Sequence, residues 1–237
     1  AVLTLLTARL GWWLQNPREW KAWSADTPKW GLCSLLFNEF RGQTNEKQKY
    51  VHLSDGGHFD NSGAYELIRR RCRFVVMVDA AEDVSDASEN LANLMRLVRR
   101  DFGIRIDINT APLRKDEHGL SRWHVAVGAI RYEDVDNNGL AGTLVFIRSS
   151  MTGDESVDLR EYANRDHRFP HHPTLPDQWF DEVQFESYRQ LGSHLAESVF
   201  AETAADFDID QLTEENHGQR VRRFFAGVRN QWFPPPP

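Results

Sequence analysis

Residues 50–80, YVHLSDGGHFDNSGAYELIRRRCRFVVMVDA, decide the fold of this chain. Val51 and Leu53 alternate with His52 and Ser54, the period of a half-buried strand, and that strand runs out at Asp55 onto the double glycine Gly56-Gly57. Two glycines permit a sharp turn and close approach of a substrate or another chain segment. Asn61 is placed to cap a following helix, in which Ala64, Ile68 and Cys72 share one face while Arg69, Arg70 and Arg73 look elsewhere. At Phe74 the pattern changes to the apolar run FVVMV, a buried strand ending at Asp79. Strand, turn, helix, strand is the grammar of an α/β sheet, and such sheets place their sites at the carboxyl edge, where Asp55 is expected. Asp-Gly is also a common turn dipeptide, so Asp55 has a purely structural reading as well.

The remainder of the chain supports the same class. Asp86 and Glu89 are spaced like a capping box for a helix whose apolar face is Leu91, Leu94, Met95 and Val98. Ile104, Ile106 and Ile108 alternate as a strand, and two further strands are expected at 124–132 and 143–148, joined by the turn-rich stretch 134–139. Residues 149–176 read as a long polar loop. A long helix beginning near Asp177 or Asp181 should bury Phe185, Tyr188, Gly192, Leu195 and Val199; a last helix after Thr213 should bury Val221, Phe224, Phe225 and Val228. The first fifty residues suggest a short helix, a tryptophan-rich connection broken at Pro17, and a helical stretch at 31–40. The four terminal prolines cannot continue a helix and mark residues 231–237 as a tail. The chain is thus expected to form one α/β unit over 1–230.

With 237 residues, 41% of them hydrophobic, the chain can bury a full core. A formal charge of −7 and a sequence pI near 5.7 disfavour a general nucleic-acid partner, although 69–73 and 220–223 are locally basic. The two cysteines, Cys33 and Cys72, are too few for a disulfide framework and lack metal-site spacing. No run reaches the ~18 apolar residues of a bilayer span. Trp12, Trp13, Trp20, Trp23 and Trp30 cluster near the start, and tryptophan favours lipid interfaces, so contact with a membrane surface stays open beside plain core packing.

The run Ser54-Asp55-Gly56-Gly57-His58-Phe59-Asp60-Asn61 resembles the Asp-Gly-Gly motif of patatin-like phospholipases. Tyr65-Glu66-Leu67, Arg70-Arg71-Cys72, Leu10-Gly11-Trp12-Trp13-Leu14 and Gln184-Phe185-Glu186-Ser187-Tyr188-Arg189 extend the likeness to a bacterial branch of that family, over about residues 1–200. The resemblance implies a patatin-like sheet with flanking helices and a lipid acyl hydrolase with a Ser-Asp dyad. Asp55 would be its base and Gly56, Gly57, His58 and Asn61 would line the site. It implies an ester or lipid substrate, no metal or organic cofactor, and a cytoplasmic or membrane-peripheral location. Two departures stand out. Asn61 is followed by Ser62-Gly63 where the family has proline, and no serine sits on a G-x-S-x-G elbow: Ser34 in Gly31-Leu32-Cys33-Ser34-Leu35-Leu36 lacks the second glycine and Ser193 in Leu191-Gly192-Ser193-His194 lacks both positions. The expectation is therefore the carboxyl-terminal part of such a domain, whose partner is the amino-terminal half, and which exposes an apolar face or sheet edge. The alternative is a binding or structural module that keeps the fold without the chemistry.

Other constellations are weaker. Asp134-x-Asp136-x-Asn138-Gly139 matches the first half of an EF-hand loop, but its twelfth position is Val145 where a glutamate is required. His167, His171 and His172 with Asp166 and Asp177 invite a zinc reading, yet their spacing fits no closed motif. The arginines at 69–73 could attract a phosphate headgroup, but they also suit the negative end of a helix. Asp79 reads as a capping or hydrogen-bonding residue at a strand end, with a chemical role as the alternative.

Overall fold

The computed structural model describes residues 12–19, 41, 45, 47–83, 85–137, 139–173, 179–205, 207, 213 and 216–233. The helix expected at 31–40, Cys33, Trp20, Trp23, Trp30, Asn138, Asp177 and the prolines at 234–237 lie outside them. The chain separates into two compact units, residues 1–61 and 62–237.

In the first unit, β1 (Trp12–Gln15) pairs antiparallel with β2 (Tyr50–Leu53), Trp12 opposite Leu53 and Gln15 opposite Tyr50. The short helix expected at the start is therefore a strand over these residues. Apolar runs of this length do not distinguish helix from strand, and here a partner strand at residues 50–53 decides. Asn16 closes the pair, donating from its side chain to the Gln48 carbonyl at 2.8 Å.

The second unit is built on a mixed four-stranded sheet in the order β3–β6–β5–β4, where β3 is Phe74–Asp79, β4 Ile106–Ile108, β5 Val125–Ile130 and β6 Gly142–Arg148. β3 runs parallel to β6, and β5 pairs antiparallel with both β6 and β4. Every residue of β5 and β6 is buried, which requires a layer on each face. Alternation supplies both. Leu144 and Phe146 point to the side covered by α1 (Ala64–Arg69) and α2 (Glu89–Phe102), with Ile68, Leu91, Leu94 and Val98. Val145, Ile147, Val125 and Val127 point to the side covered by α3 (Val157–Arg165), α4 (Glu182–Ala205) and α5 (His217–Trp232), with Leu159, Leu191, Leu195, Val199 and Val228. Burying a side chain of this size contributes ~1.5–3 kcal/mol, so the sheet's two central strands carry the core.

Several sequence expectations change. β3 is an edge strand and only half-buried: Val75 and Met77 are covered while Val76 and Val78 are exposed. The cap of α1 is Gly63 at φ +70, not Asn61, and the Ser62 hydroxyl accepts the Ala64 N–H at 3.1 Å. No capping box forms at α2, because Asp86 turns to Arg148 and Ser85 donates to Glu89 instead. Residues 149–176 contain a helix, α3, whose buried Leu159 packs on the core together with the partly buried Tyr162 and Ala163. The covered face of α4 runs through Gln184, Ser187, Leu191, Leu195 and Val199, so Leu195 and Val199 are buried and Tyr188 packs on the core as expected, while Phe185 and Gly192 are exposed. Among the described residues no helix is long and apolar enough to cross a membrane.

Candidate active site

Asp55 lies directly after β2 as the cap of a single 3-10 turn, Gly56–His58. Its carboxylate Oδ1 accepts the Gly57 N–H at 3.0 Å and its carbonyl accepts the His58 N–H at 3.3 Å, so backbone and side chain are fixed by the same turn. The Gly56 carbonyl accepts from both Phe59 and Asp60 at 2.9 and 3.0 Å. Gly57 has a definite reason to be glycine. A Cβ there would stand 3.1 Å from Asn61 Oδ1, crowding it, and in ordinary contact with Asp55 Oδ1 at 3.4 Å, so the missing side chain leaves room for Asn61 beside Asp55. A Cβ on Gly56 would meet nothing within 4 Å. Asp55, Gly56, Gly57, His58 and Asn61 are thus brought into one short turn, and all five are exposed.

The turn belongs to the first unit's two-stranded sheet, whereas Asp79 closes β3 in the four-stranded sheet, so the two carboxylates do not end strands of one sheet as expected. Asp79 does what its position suggested: its Oδ1 accepts from Ala81 N–H at 3.1 Å and from the Asn90 side chain at 3.0 Å.

The other sequence candidates resolve into structural pairs. Arg69 and Arg70 both hold Glu66, whose carboxyl they pull down to about 2. Arg71 pairs with Asp136 at 2.7 Å and Arg105 with Asp134 at 2.8 Å, so two carboxylates of the EF-hand-like stretch are spent on arginines. His172 bridges Tyr188 OH at 2.8 Å and Asp166 at 3.0 Å, while His171 faces the Ala81 carbonyl at 3.1 Å; the two neighbouring histidines serve different partners. Arg168 and then His172 hold Asp166 well below the usual carboxylate range.

A cluster not anticipated from sequence joins His124, Asp154, Glu155 and His194. Burial pushes His124 down, which keeps its ring neutral. The members lie up to seventy positions apart, so no local spacing could have found them; the adjacent pair Asp154-Glu155 after Thr152-Gly153 is the sole local trace.

Comparison of the chain with family models, curated proteins and solved structures gives no match.

Proposed function

We propose that this chain is part of a patatin-like acyl hydrolase and supplies its general base, Asp55. The observation that carries the reading is the turn itself: an exposed carboxylate after a strand, held through one oxygen by the Gly57 N–H within an Asp-Gly-Gly-His-Phe-Asp-Asn sequence. In this chemistry a serine hydroxyl, supplied from outside these residues on a G-x-S-x-G elbow, gives its proton to Asp55 as it attacks an ester carbonyl. Asp55 then returns that proton to the leaving alcohol, while backbone amides hold the oxyanion. The Gly57 hydrogen bond orients the carboxylate without neutralising it. A capping aspartate with no chemical role uses the same bond, and this is the reading of a binding or structural module.

Hydrolysis of a p-nitrophenyl ester separates them. The 237-residue chain is expected to give background rates, and the same chain joined to a segment bearing the serine elbow is expected to turn over. Turnover by the chain alone, abolished by one internal serine substitution, would show that the nucleophile has been misplaced. No turnover by the joined protein would favour the module.

A further inference from the structure

We infer that His124, Asp154, Glu155 and His194 form a binding site for a divalent first-row transition ion such as Zn²⁺. The site lies wholly in the second unit and does not depend on the acyl hydrolase reading.

The four side chains come from three elements: His124 immediately precedes β5, Asp154 and Glu155 sit in the turn between β6 and α3, and His194 projects from α4. Their donor atoms all lie within 4.8 Å of one another. His124 and Glu155 are each 3% exposed, while the side chains of His194 and Asp154 are 24% and 69% exposed. The buried half of the site is therefore fixed and the outer half can adjust.

The hydrogen bonding around Thr152 shows what is missing from such an arrangement. Its hydroxyl lies 3.1 Å from His124 Nε2 and 3.3 Å from Glu155 Oε1, and it also contacts Asp154 Oδ1. Asp154 Oδ1 in turn lies 3.3 Å from His194 Nε2. One hydroxyl has one proton to donate, and with His124 Nε2 unprotonated three acceptor atoms converge on it. His124 has a partner for each ring nitrogen, Ser150 at Nδ1 and Thr152 at Nε2. Ser150 Oγ lies 2.9 Å from His124 Nδ1 and 3.3 Å from the Arg148 carbonyl, so in the tautomer in which Nδ1–H donates to Ser150 and Ser150 donates to that carbonyl, the Nε2 lone pair faces the cluster. A second-partner bond of this kind is what orients a metal-ligating histidine. Glu155 is likewise held, accepting the Thr152 and Gly153 N–H groups at 2.6 and 2.9 Å.

A cation at the centre would satisfy these surplus lone pairs, and two carboxylates would balance a charge of +2. Mixed nitrogen and oxygen donors suit zinc and its neighbours, whereas Mg²⁺ and Ca²⁺ prefer oxygen alone. Tetrahedral bonds of ~2.0–2.1 Å place ligand atoms ~3.3–3.4 Å apart. The contact between His194 Nε2 and Asp154 Oδ1 at 3.3 Å already matches, and the remaining donor atoms, all within 4.8 Å of one another, would draw inward around the ion. His194 also borders a cleft of about 220 Å³ lined by Ser156, Arg189, Gln190, Ser193 and Glu197. Occupied, the ion site would tie α4 to the start of β5.

Calorimetric titration of Zn²⁺ into the full 237-residue chain, stripped with chelator and dialysed, tests this, with Mg²⁺ titrated in parallel. One Zn²⁺ per chain is expected, with no saturable Mg²⁺ binding. His194→Ala and Asp154→Asn, both at exposed or half-exposed positions and checked for folding by circular dichroism, should each weaken Zn²⁺ by at least ~10-fold, the lower figure for losing even a supporting partner. His167→Ala, outside the cluster, should leave Kd within about twofold. The absence of saturable Zn²⁺ binding, or binding that both cluster substitutions leave unchanged, would overturn the inference.

Discussion

The guanidinium of Arg148, at the end of β6, donates to Asp86 at 2.5 Å although the arginine side chain is only 2% exposed. Asp83 lies 3.2 Å from the same nitrogen, and both carboxylates also accept backbone N–H groups: Asp83 from Ala87 and Ser88, Asp86 from Lys115. One buried cation thus fixes the loop between β3 and α2. Burial alone would push Asp86 up, but the Lys115 N–H and Arg148 outweigh it, so its carboxyl titrates below its ordinary 3.8. The stabilisation it brings is complete above that ordinary value and is lost as pH falls through the lowered one.

Arg148→Met should destabilise the second unit by about 3 kcal/mol, the lower end for breaking a buried ion pair, since Asp86 keeps some solvent contact. Adding Asp83→Asn and Asp86→Asn should restore part of the loss, because asparagine can still accept the backbone hydrogen bonds. Urea unfolding of the three proteins measures this. A loss within about 0.5 kcal/mol for Arg148→Met would show that the pair contributes nothing net.

His171 makes stability depend on pH in the opposite direction from a histidine that gains an anionic partner. It is buried, its Nδ1–H faces the Ala81 carbonyl, and its Nε2 has no hydrogen-bond partner among the described residues. Burial pushes its pKa below 6.5; Ala81 opposes that, Lys115 and Arg148 reinforce it, and Asp83 opposes it. Near pH 6.5 the unfolded chain takes up a proton that the folded chain does not, so stability is full above 6.5 and falls as pH drops toward the lowered value. Tm measured from pH 7.5 to 5 should decline, and His171→Gln, which keeps a donor for Ala81, should flatten that decline. Identical slopes would remove His171 as a cause.

The two motif glycines should respond differently to a methyl group. Gly56→Ala adds a Cβ into open space and is expected to leave Tm and activity near normal. Gly57→Ala places a Cβ 3.1 Å from Asn61 Oδ1, which must give by a few tenths of an ångström, and in ordinary contact with Asp55 Oδ1 at 3.4 Å. In the protein that carries the serine elbow, this should lower kcat/KM roughly tenfold, less than the ~10²-fold of a full 1 Å misplacement. Equal effects at both positions would show that the convergence of Asp55 and Asn61 is not used.

Much of the second unit was legible because its signals are local. VAVGAI and TLVFI are long apolar stretches between strong turn residues, and Leu91, Leu94 and Val98 recur at helical spacing. What stayed hidden depends on distant partners. Trp12–Gln15 becomes a strand only because Tyr50–Leu53 pairs with it, and Phe185 is exposed because the first turns of α4 bury Gln184 and Ser187 instead. The Asp55 turn was readable as a turn from Asp-Gly-Gly, and its convergence with Asn61 was not, since that rests on a side chain Gly57 lacks. His124 and His194 meet through the packing of α4, which no spacing records.

The most direct measurement is kcat/KM for Asp55→Asn beside Asp79→Asn, in the protein that carries the serine, with Tm taken alongside so that lost activity is not confused with lost protein. Asparagine keeps the size of the side chain and an oxygen for the Gly57 N–H, but loses the basic carboxylate. The expected result is a fall of at least ~10²-fold for Asp55→Asn, the lower range for losing a general base, with Tm nearly unchanged. Asp79→Asn, whose carboxylate serves Ala81 and Asn90, should cost less activity. Near-normal kcat/KM in Asp55→Asn would contradict the assignment of Asp55 as the base and, with it, the acyl hydrolase reading.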